Sequence, residues 1–187
     1  MSLSRFGYIL LIFIGSWSAY YLYDRDSGFD QQVEPDTELP IFSGSQLQNT
    51  SYTDKGLRSY AITSEHLDHY AKSGDTKFTR PVLKVFREGD QLEWQITAET
   101  GVLDDNNVLT LTTNVTAKNL LPDSGFDTLS TDSISIQLDN RDFWADTQVT
   151  LVGQQFETVG QAMKGNFAEN TAVLYNHVQG RYETLTP

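Results

Sequence analysis

Two of the three histidines lie in the segment Glu65-His66-Leu67-Asp68-His69, which brings imidazole and carboxylate groups within three residues of each other. On a helix this spacing puts His66 and His69 on one face, as in a metal-binding cluster. No third ligand stands out, and polar segments of this kind are more often solvated turns. The sequence therefore predicts no metal site, and residues 64–70 are the one segment where it allows a helical turn.

Paired carboxylates are the other groups that could do chemistry, at Asp104-Asp105 and at Asp139 with Asp142. A glycosidase pair would have to face each other across a cleft. These pairs lie in turn-like segments, where aspartate accepts hydrogen bonds from local backbone amides. The nucleophile-elbow, calcium-loop and phosphate-binding glycine motifs are absent. We expect no catalytic residues and no cofactor, with a Ser-His-Asp or carboxylate hydrolase as the enzymatic alternative.

Charge and cysteine content narrow the function further. The chain has 187 residues, 25 acidic and 13 basic side chains, a net charge of −12 and no cysteine. The lack of cysteine excludes disulfides, thiolate catalysis and zinc–cysteine sites. Strong acidity argues against nucleic-acid binding, which needs clustered lysine and arginine. A binding, structural or transport role remains.

The elements that must position any site begin with an uncharged segment at residues 6–23. As a helix it would be about 27 Å long, close to the ~30 Å hydrocarbon core of a bilayer. Arg5 precedes it and Asp24 follows, so the positive-inside rule puts the N-terminus in the cytoplasm. We expect a cytoplasmic tail at 1–5 and a transmembrane helix at 6–23.

Small residues within this segment suggest a contact with another helix. Gly15 and Ala19 are four residues apart, which places them on one helical face and permits close approach of a second transmembrane helix. The alternative to an anchor is a cleaved signal peptide, with cleavage before Ala19. Either segment would export the rest of the chain.

After an acidic linker at 24–40, residues 41–187 show alternation typical of β-strands. Turn-forming residues separate the runs, which predicts an all-β antiparallel meander, sandwich or roll. Glu93 and its alternate neighbours belong to the predicted wet face. The predicted apolar face includes Trp94, Ile96, Ala98, Leu109, Leu111, Ile134, Ile136, Leu138, Val149 and Leu151.

Five short stretches occur in a characteristic order: Phe78-Thr79-Arg80-Pro81-Val82-Leu83, Pro122-Asp123-Ser124, Ser130-Thr131-Asp132, Val149-Thr150-Leu151-Val152-Gly153 and Met163-Lys164-Gly165-Asn166. With the N-terminal segment and the chain length, they resemble the lipopolysaccharide export family LptC. The resemblance implies a periplasmic antiparallel β-jellyroll of the OstA-like type, tethered to the inner membrane by one transmembrane helix. The related bridge family LptA shares the jellyroll but has a cleaved signal peptide.

The resemblance also implies a function. Members accept lipopolysaccharide from the inner-membrane ATP-driven transporter of LptB, LptF and LptG, and pass it through an apolar groove to LptA. Jellyrolls join by edge-strand addition, in which main-chain hydrogen bonds fix the register. The alternative is a structural scaffold that joins transporter and bridge without holding lipid.

Alternation and the resemblance together give the site candidates. We expect Leu47 and Phe78 near the groove mouth. Gly56 is expected to have a positive φ in a hairpin turn, and Gly153 to allow close backbone approach at a partner edge, with plain turn geometry as the alternative for both. The expected groove lining is Leu83, Val85, Trp94, Ile96, Leu111, Ile134, Ile136, Leu151, Ala172 and Leu174.

Overall fold

The computed structural model describes residues 13–20, 39–122 and 125–182. Residues 13–20 are helical, and within the described ranges no helix is long and apolar enough to cross a bilayer. The expected cytoplasmic tail, the rest of the expected anchor, the linker as far as residue 38, and Asp123 and Ser124 lie outside these ranges. Leu39–Pro187 forms one compact unit, separate from Met1–Glu38.

The described part of the second unit confirms the all-β antiparallel prediction. Its strands form a 14-stranded sheet in which every pairing is antiparallel. In chain order the strands are β1 (Phe42–Tyr52), β2 (Arg58–His69), β3 (Thr76–Thr79), β4 (Val82–Arg87), β5 (Gln91–Thr97), β6 (Thr100–Leu103), β7 (Val108–Asn119), β8 (Thr128–Gln137), β9 (Asp142–Ala145), β10 (Val149–Val152), β11 (Phe156–Gly160), β12 (Ala162–Asn166), β13 (Thr171–Tyr175) and β14 (Gln179–Tyr182).

The sheet folds into two layers that share the long strands β1, β2, β7 and β8. One half of each long strand pairs in the first layer, which also contains β4, β5, β10, β11 and β14. The other half pairs in the second layer, with β3, β6, β9, β12 and β13. The hydrophobic core contains residues of both layers.

Local left-handed residues produce the bends between layers. In β7, Thr113 and Asn114 have φ values of 67° and 55°, and the pairing register with β8 shifts between Thr112 and Val115. In β1, Gln46 has a φ of 53° and marks the same change of layer. Such irregularities bend a strand and increase its twist.

Residues 64–70 do not form the helical turn that the sequence allowed. Residues through His69 belong to β2, which pairs with β1 on one side and with β3 and β4 on the other. Backbone hydrogen bonds to two neighbours override a weak local helical preference. Because successive side chains in a strand alternate faces, His66 and His69 point to opposite faces, which removes the metal-binding spacing.

The predicted apolar positions are confirmed as core. Trp94, Ile96, Leu109, Leu111, Ile134, Ile136 and Val149 are all 0–1% exposed, and the remaining three are at most 9% exposed. Glu93 corrects the predicted wet face, since it is only 1% exposed. The pairing register shifts between Val85 and Phe86, whose partners are Trp94 and Leu92, so Glu93 is the extra residue of a bulge in β5 and turns inward.

Gly56 lies in the turn from β1 to β2, where the sequence predicts a positive φ. Its φ is +77°, as expected, and its N–H donates to the Thr53 carbonyl at 2.8 Å. A Cβ at this position would meet no atom within 4 Å, so Gly56→Ala carries only the backbone penalty. We expect Gly56→Ala to lower the free energy of unfolding by about 1 kcal/mol, which thermal unfolding would show as a lower Tm.

Gly180→Ala is the control for this turn. Gly180 is an exposed glycine at which an added Cβ would meet atoms only at ordinary contact distances of 3.4 Å or more, and its φ lies outside the left-handed region. Its Tm should stay near that of the wild type. An equal Tm for both variants would show that the conformation of Gly56 contributes nothing to stability.

Candidate functional site

The inner face of the first layer carries a continuous row of paired residues. Paired residues on neighbouring strands share a face, so the register defines the row directly. Its members from Ile62 to Leu151 are 0–5% exposed, whereas Asn49 at one end and Gly180 at the other are exposed. From β1 to β14 the row is Asn49, Ile62, Leu83, Ile96, Ala117, Leu129, Leu151, Thr158 and Gly180.

The second layer carries a matching row on its inner face. In β2, β3, β6, β7 and β8 it contains Leu67, Phe78, Gly101, Leu111 and Ile134. The paired residues Ala145, Met163 and Leu174 continue it through β9, β12 and β13. The apolar side chains of the two rows belong to one hydrophobic core, which extends from β2 to β13.

Most predicted groove residues lie in this shared core. Phe78 is 6% exposed and therefore lies within the core. Leu47 is half-buried on β1, while Ala172 and Leu174 are partly buried on β13 and pack against the core. The remaining candidates, each at most 5% exposed, are Leu83, Val85, Trp94, Ile96, Leu111, Ile134, Ile136 and Leu151.

Three strands end the two layers. Among the described strands, β1 pairs only with β2, β13 only with β12, and β14 only with β11. Large apolar side chains are exposed along these strands, including Phe42 (53%), Val173 (54%) and Tyr182 (76%). Unpaired strand edges are templates for adding a strand from another chain.

Close packing at Gly153 involves this chain's own side chain. A Cβ there would overlap the ring of Phe156, which also contacts the Tyr182 ring with centroids 6.3 Å apart. Gly153 therefore allows Phe156 to pack over the end of β10. Its role at a partner edge stays a prediction.

Gly15 and Ala19 lie in the described helical segment, and both are exposed. No atom lies within 4 Å of the position of a Cβ at Gly15. The packing role predicted for this pair needs a partner helix, so it also stays a prediction.

Ser45, His66 and Asp68 lie in the order of a hydrolytic triad on the outer face of β1 and β2. Ser45 Oγ is 3.3 Å from His66 Nδ1, and His66 Nε2 is 3.2 Å from Asp68 Oδ1. The His66 side chain is 44% exposed. Hydrolysis also needs donors aimed at a developing oxyanion in a site that excludes water. This exposed surface instead links β1 to β2 through side-chain hydrogen bonds.

The paired carboxylates accept hydrogen bonds within the turns. Asp104 Oδ1 accepts hydrogen bonds from the backbone amides of Asn106 and Val108, each at 2.9 Å. Asp142 accepts side-chain hydrogen bonds from Asn140 and Asn166, each at 2.7 Å. Within the described residues, no group of three or more His, Cys, Asp or Glu side chains is arranged to hold a metal ion.

The link between β1 and β2 gives a prediction on acid stability. Ser43 Oγ donates to Asp68 at 2.5 Å and lowers the pKa of Asp68, with burial opposing the shift and His66 and Lys77 adding to it. Because the folded-state pKa is lower, this link stabilises the fold above the unfolded pKa and is lost as the pH falls through the folded pKa. Ser43→Ala should raise the pKa of Asp68 toward its ordinary value, measured by NMR titration of its carboxyl carbon.

Ser130→Ala is the control substitution, since Ser130 is an exposed serine on β8, a strand that does not pair with β2. It should leave the pKa of Asp68 as it is in the wild type. An unchanged pKa of Asp68 in Ser43→Ala would show that the hydroxyl group does not control its ionisation.

Comparison with known proteins now identifies the family. The model of the family described as lipopolysaccharide-assembly, LptC-related, matches residues 8–183. The lipopolysaccharide export system protein LptC of Escherichia coli (strain K12) is 29% identical over 152 residues, covering 81% of this chain and 80% of the relative. The protein of the same name from Haemophilus influenzae is 24% identical over 181 residues, covering 88% and 87%.

A solved structure is also similar. It is LptH from Pseudomonas aeruginosa, described as the LptA homologous periplasmic component of the lipopolysaccharide transport device, with a TM-score of 0.48 and 11% identity. The match covers 80% of this chain and 99% of that structure. The LptC family consists of transport components and not of enzymes. With the family model matching residues 8–183, this chain belongs to the LptC family.

Proposed function

We propose that this chain is a lipopolysaccharide transport subunit. It accepts lipopolysaccharide from the inner-membrane transporter of LptB, LptF and LptG, and passes it through its apolar interior to the bridge protein LptA. The observation that carries this proposal is the pair of inward rows, which cross both layers from β1 to β13 and β14. Relatives named as lipopolysaccharide export proteins support it.

The chemistry of the interior suits the acyl chains of such a ligand. Burial stabilises each methylene by about 0.8 kcal/mol. Because the net charge of the chain is −12, it has no overall electrostatic attraction for anionic sugars and phosphates. The tails are therefore held inside while the head group stays in solvent, which suits a carrier that must release its ligand.

The unpaired strands supply the attachment sites for partners. β1 lies at one end of the two layers, and β13 and β14 lie at the other. Strand addition at both ends would make the apolar interior continuous between the transporter, this chain and LptA. Main-chain hydrogen bonds would fix the register of the joined sheets.

Anchoring keeps this interior beside the inner membrane. In the described helical segment Phe13, Ile14, Trp17 and Tyr20 are 55–70% exposed, which supports contact with lipid. We place residues 6–23 across the inner membrane, with the N-terminus in the cytoplasm and residues 41–187 in the periplasm. Gly15 and Ala19 then lie where a transmembrane helix of the transporter can pack closely.

A structural scaffold is the second candidate, and full core packing favours it. Leu83, Ile96, Leu109 and Leu111 are 0% exposed, so side chains already fill the interior at their positions. Such a scaffold would join transporter and bridge through its edges without holding lipid.

Intact mass spectrometry of the detergent-extracted full-length protein separates these candidates. We expect the mass of a chain that retains its N-terminal segment, with lipopolysaccharide bound. A chain beginning at Ala19 would contradict the anchor. A lipid-free protein that still binds LptA would favour the scaffold over the carrier.

A further inference from the structure

Four side chains form a polar bridge between the two layers, which we call the clasp: Arg87, Glu93, Trp94 and Asn170. The first three lie on β4 and β5 of the first layer, and Asn170 lies in the turn from β12 to β13 of the second layer. Asn170 Nδ2 donates to Glu93 Oε1 at 2.9 Å, and Trp94 Nε1 donates to Asn170 Oδ1 at 3.2 Å. Arg87 Nη2 donates to Glu93 Oε1 at 2.5 Å.

The clasp lies where it can close the apolar interior between the two layers. The bends in the long strands join the layers along one side, and the clasp lies away from those bends. Trp94 pairs with Asn119, five residues beyond the bend at Asn114. Asn170 follows β12, whose last residue Asn166 pairs with Asp142 at the start of β9. The clasp therefore joins the layers on the side where no strand crosses between them.

Aromatic side chains pack beside the polar bridge. The Trp94 ring lies 5.1 Å from the Phe167 ring and 5.3 Å from the Phe126 ring, measured between centroids. Phe167 lies 4.2 Å from Phe143. These rings fill the space that an acyl chain entering from this side would need, so entry requires the two layers to separate at the clasp.

In the closed clasp, the hydrogen-bonding capacity of the Glu93 carboxylate is only partly used. Glu93 is 1% exposed, and its Oε1 atom accepts both hydrogen bonds. Its Oε2 atom is buried and has no hydrogen-bond partner among the described residues. A buried carboxylate oxygen without a donor raises the energy of the state that contains it. On opening, water can reach this oxygen, which offsets part of the cost of breaking the bridge.

We propose that the clasp is a gate for lateral entry of acyl chains, and this inference rests on the proposed lipid-carrier function. In the closed protein Asn170 helps to hold the layers together, beside a second link in which Arg141 Nη2 donates to Ser59 Oγ at 3.4 Å. When the clasp opens, the layers separate between β5 and the β12–β13 turn, and acyl chains reach the inward rows from the side. Asn170 is thus a positioning residue that controls access without needing to touch the ligand.

Asn170→Gly is the most direct variant. Asn170 has a φ of 51°, a conformation that glycine adopts easily, so the substitution removes both hydrogen bonds without backbone strain. Asn176→Gly is the matched control, since Asn176 has a φ of 61° and an exposed side chain outside the clasp. Trp94→Phe is a second variant that keeps a buried ring but removes the donor to Asn170.

Spin labels on the full-length protein report opening independently of lipid. The chain has no cysteine, so Gln91→Cys and Glu169→Cys give one labelled pair, with one exposed position in each layer. We expect a short distance in the otherwise wild-type protein and in Asn176→Gly. Loss of two hydrogen bonds should increase the longer-distance population about tenfold in Asn170→Gly, with a smaller increase in Trp94→Phe.

Lipid loading is measured on the unlabelled proteins with purified lipopolysaccharide and native mass spectrometry. Asn170→Gly should load about tenfold faster than the wild type, and Asn176→Gly should load at the wild-type rate. Unchanged distances and loading in Asn170→Gly would overturn the gate while leaving the carrier function intact. If even the wild type takes up no lipopolysaccharide, the carrier function fails, whatever the spin labels show.

Discussion

Gly165→Ala is expected to destabilise the fold by about 3 kcal/mol, because the added methyl group would overlap closely packed neighbouring atoms. A Cβ at Gly165 would overlap the backbone oxygen of Thr171 and the ring of Phe143. The oxygen belongs to the paired strand β13, and Phe143 is 2% exposed in the core. Relief therefore requires β13 to move away from β12. Thermal unfolding should show a Tm lower by roughly 6–12 °C.

Gly180→Ala provides the control for this substitution. Gly180 is also a strand glycine, but the atoms nearest to an added Cβ are 3.4 Å and 3.5 Å away, which is ordinary contact. We expect a Tm within about 2 °C of the wild type. A Gly165→Ala protein as stable as Gly180→Ala would show that β13 is not held closely against β12.

Trp94→Ala is the second large effect that we expect. Trp94 is 1% exposed, packs against Phe126 and Phe167, and donates to Asn170. Removing a buried aromatic side chain of this size costs about 3–5 kcal/mol. The loss should appear in urea unfolding followed by circular dichroism, as a lower midpoint with little change in slope.

Trp144→Ala is the matched control, since Trp144 is 37% exposed on the outer face of β9. Its substitution should cost about 1 kcal/mol or less. Equal losses for the two tryptophans would contradict the view that the core at Trp94 determines the stability of both layers.

Sequence alternation predicted the inner face of the central strands well. Ile134 and Ile136, like Leu109 and Leu111, alternate with polar residues, and all four are 0–1% exposed. Their strands carry one wet and one apolar face, so the period of two determines which side chains point inward. The turn conformation of Gly56 was predictable for a similar local reason, because Asp54-Lys55-Gly56 is a turn sequence.

Features that depend on distant partners were not predictable. The sequence allowed a helical turn at residues 64–70 because nothing local shows that β2 has partners on both sides. Glu93 looked solvated because its inward orientation depends on a bulge and on Asn170, which is 77 residues away. Likewise, neither Thr113 nor Asn114 is a glycine, so the residue types do not predict the left-handed bend at these positions. Tertiary pairing decides each of these cases over local preference.

Site-specific photo-crosslinking in cells tests the central claim that lipopolysaccharide travels inside the two layers. Phe78 and Ala172 lie on inward faces at opposite parts of the second layer, whereas Thr97 and Ser135 lie on outward faces. With a photoreactive amino acid at each position in turn, we predict that lipopolysaccharide is captured at Phe78 and Ala172 and not at Thr97 or Ser135. Capture at the outward positions alone would contradict the account.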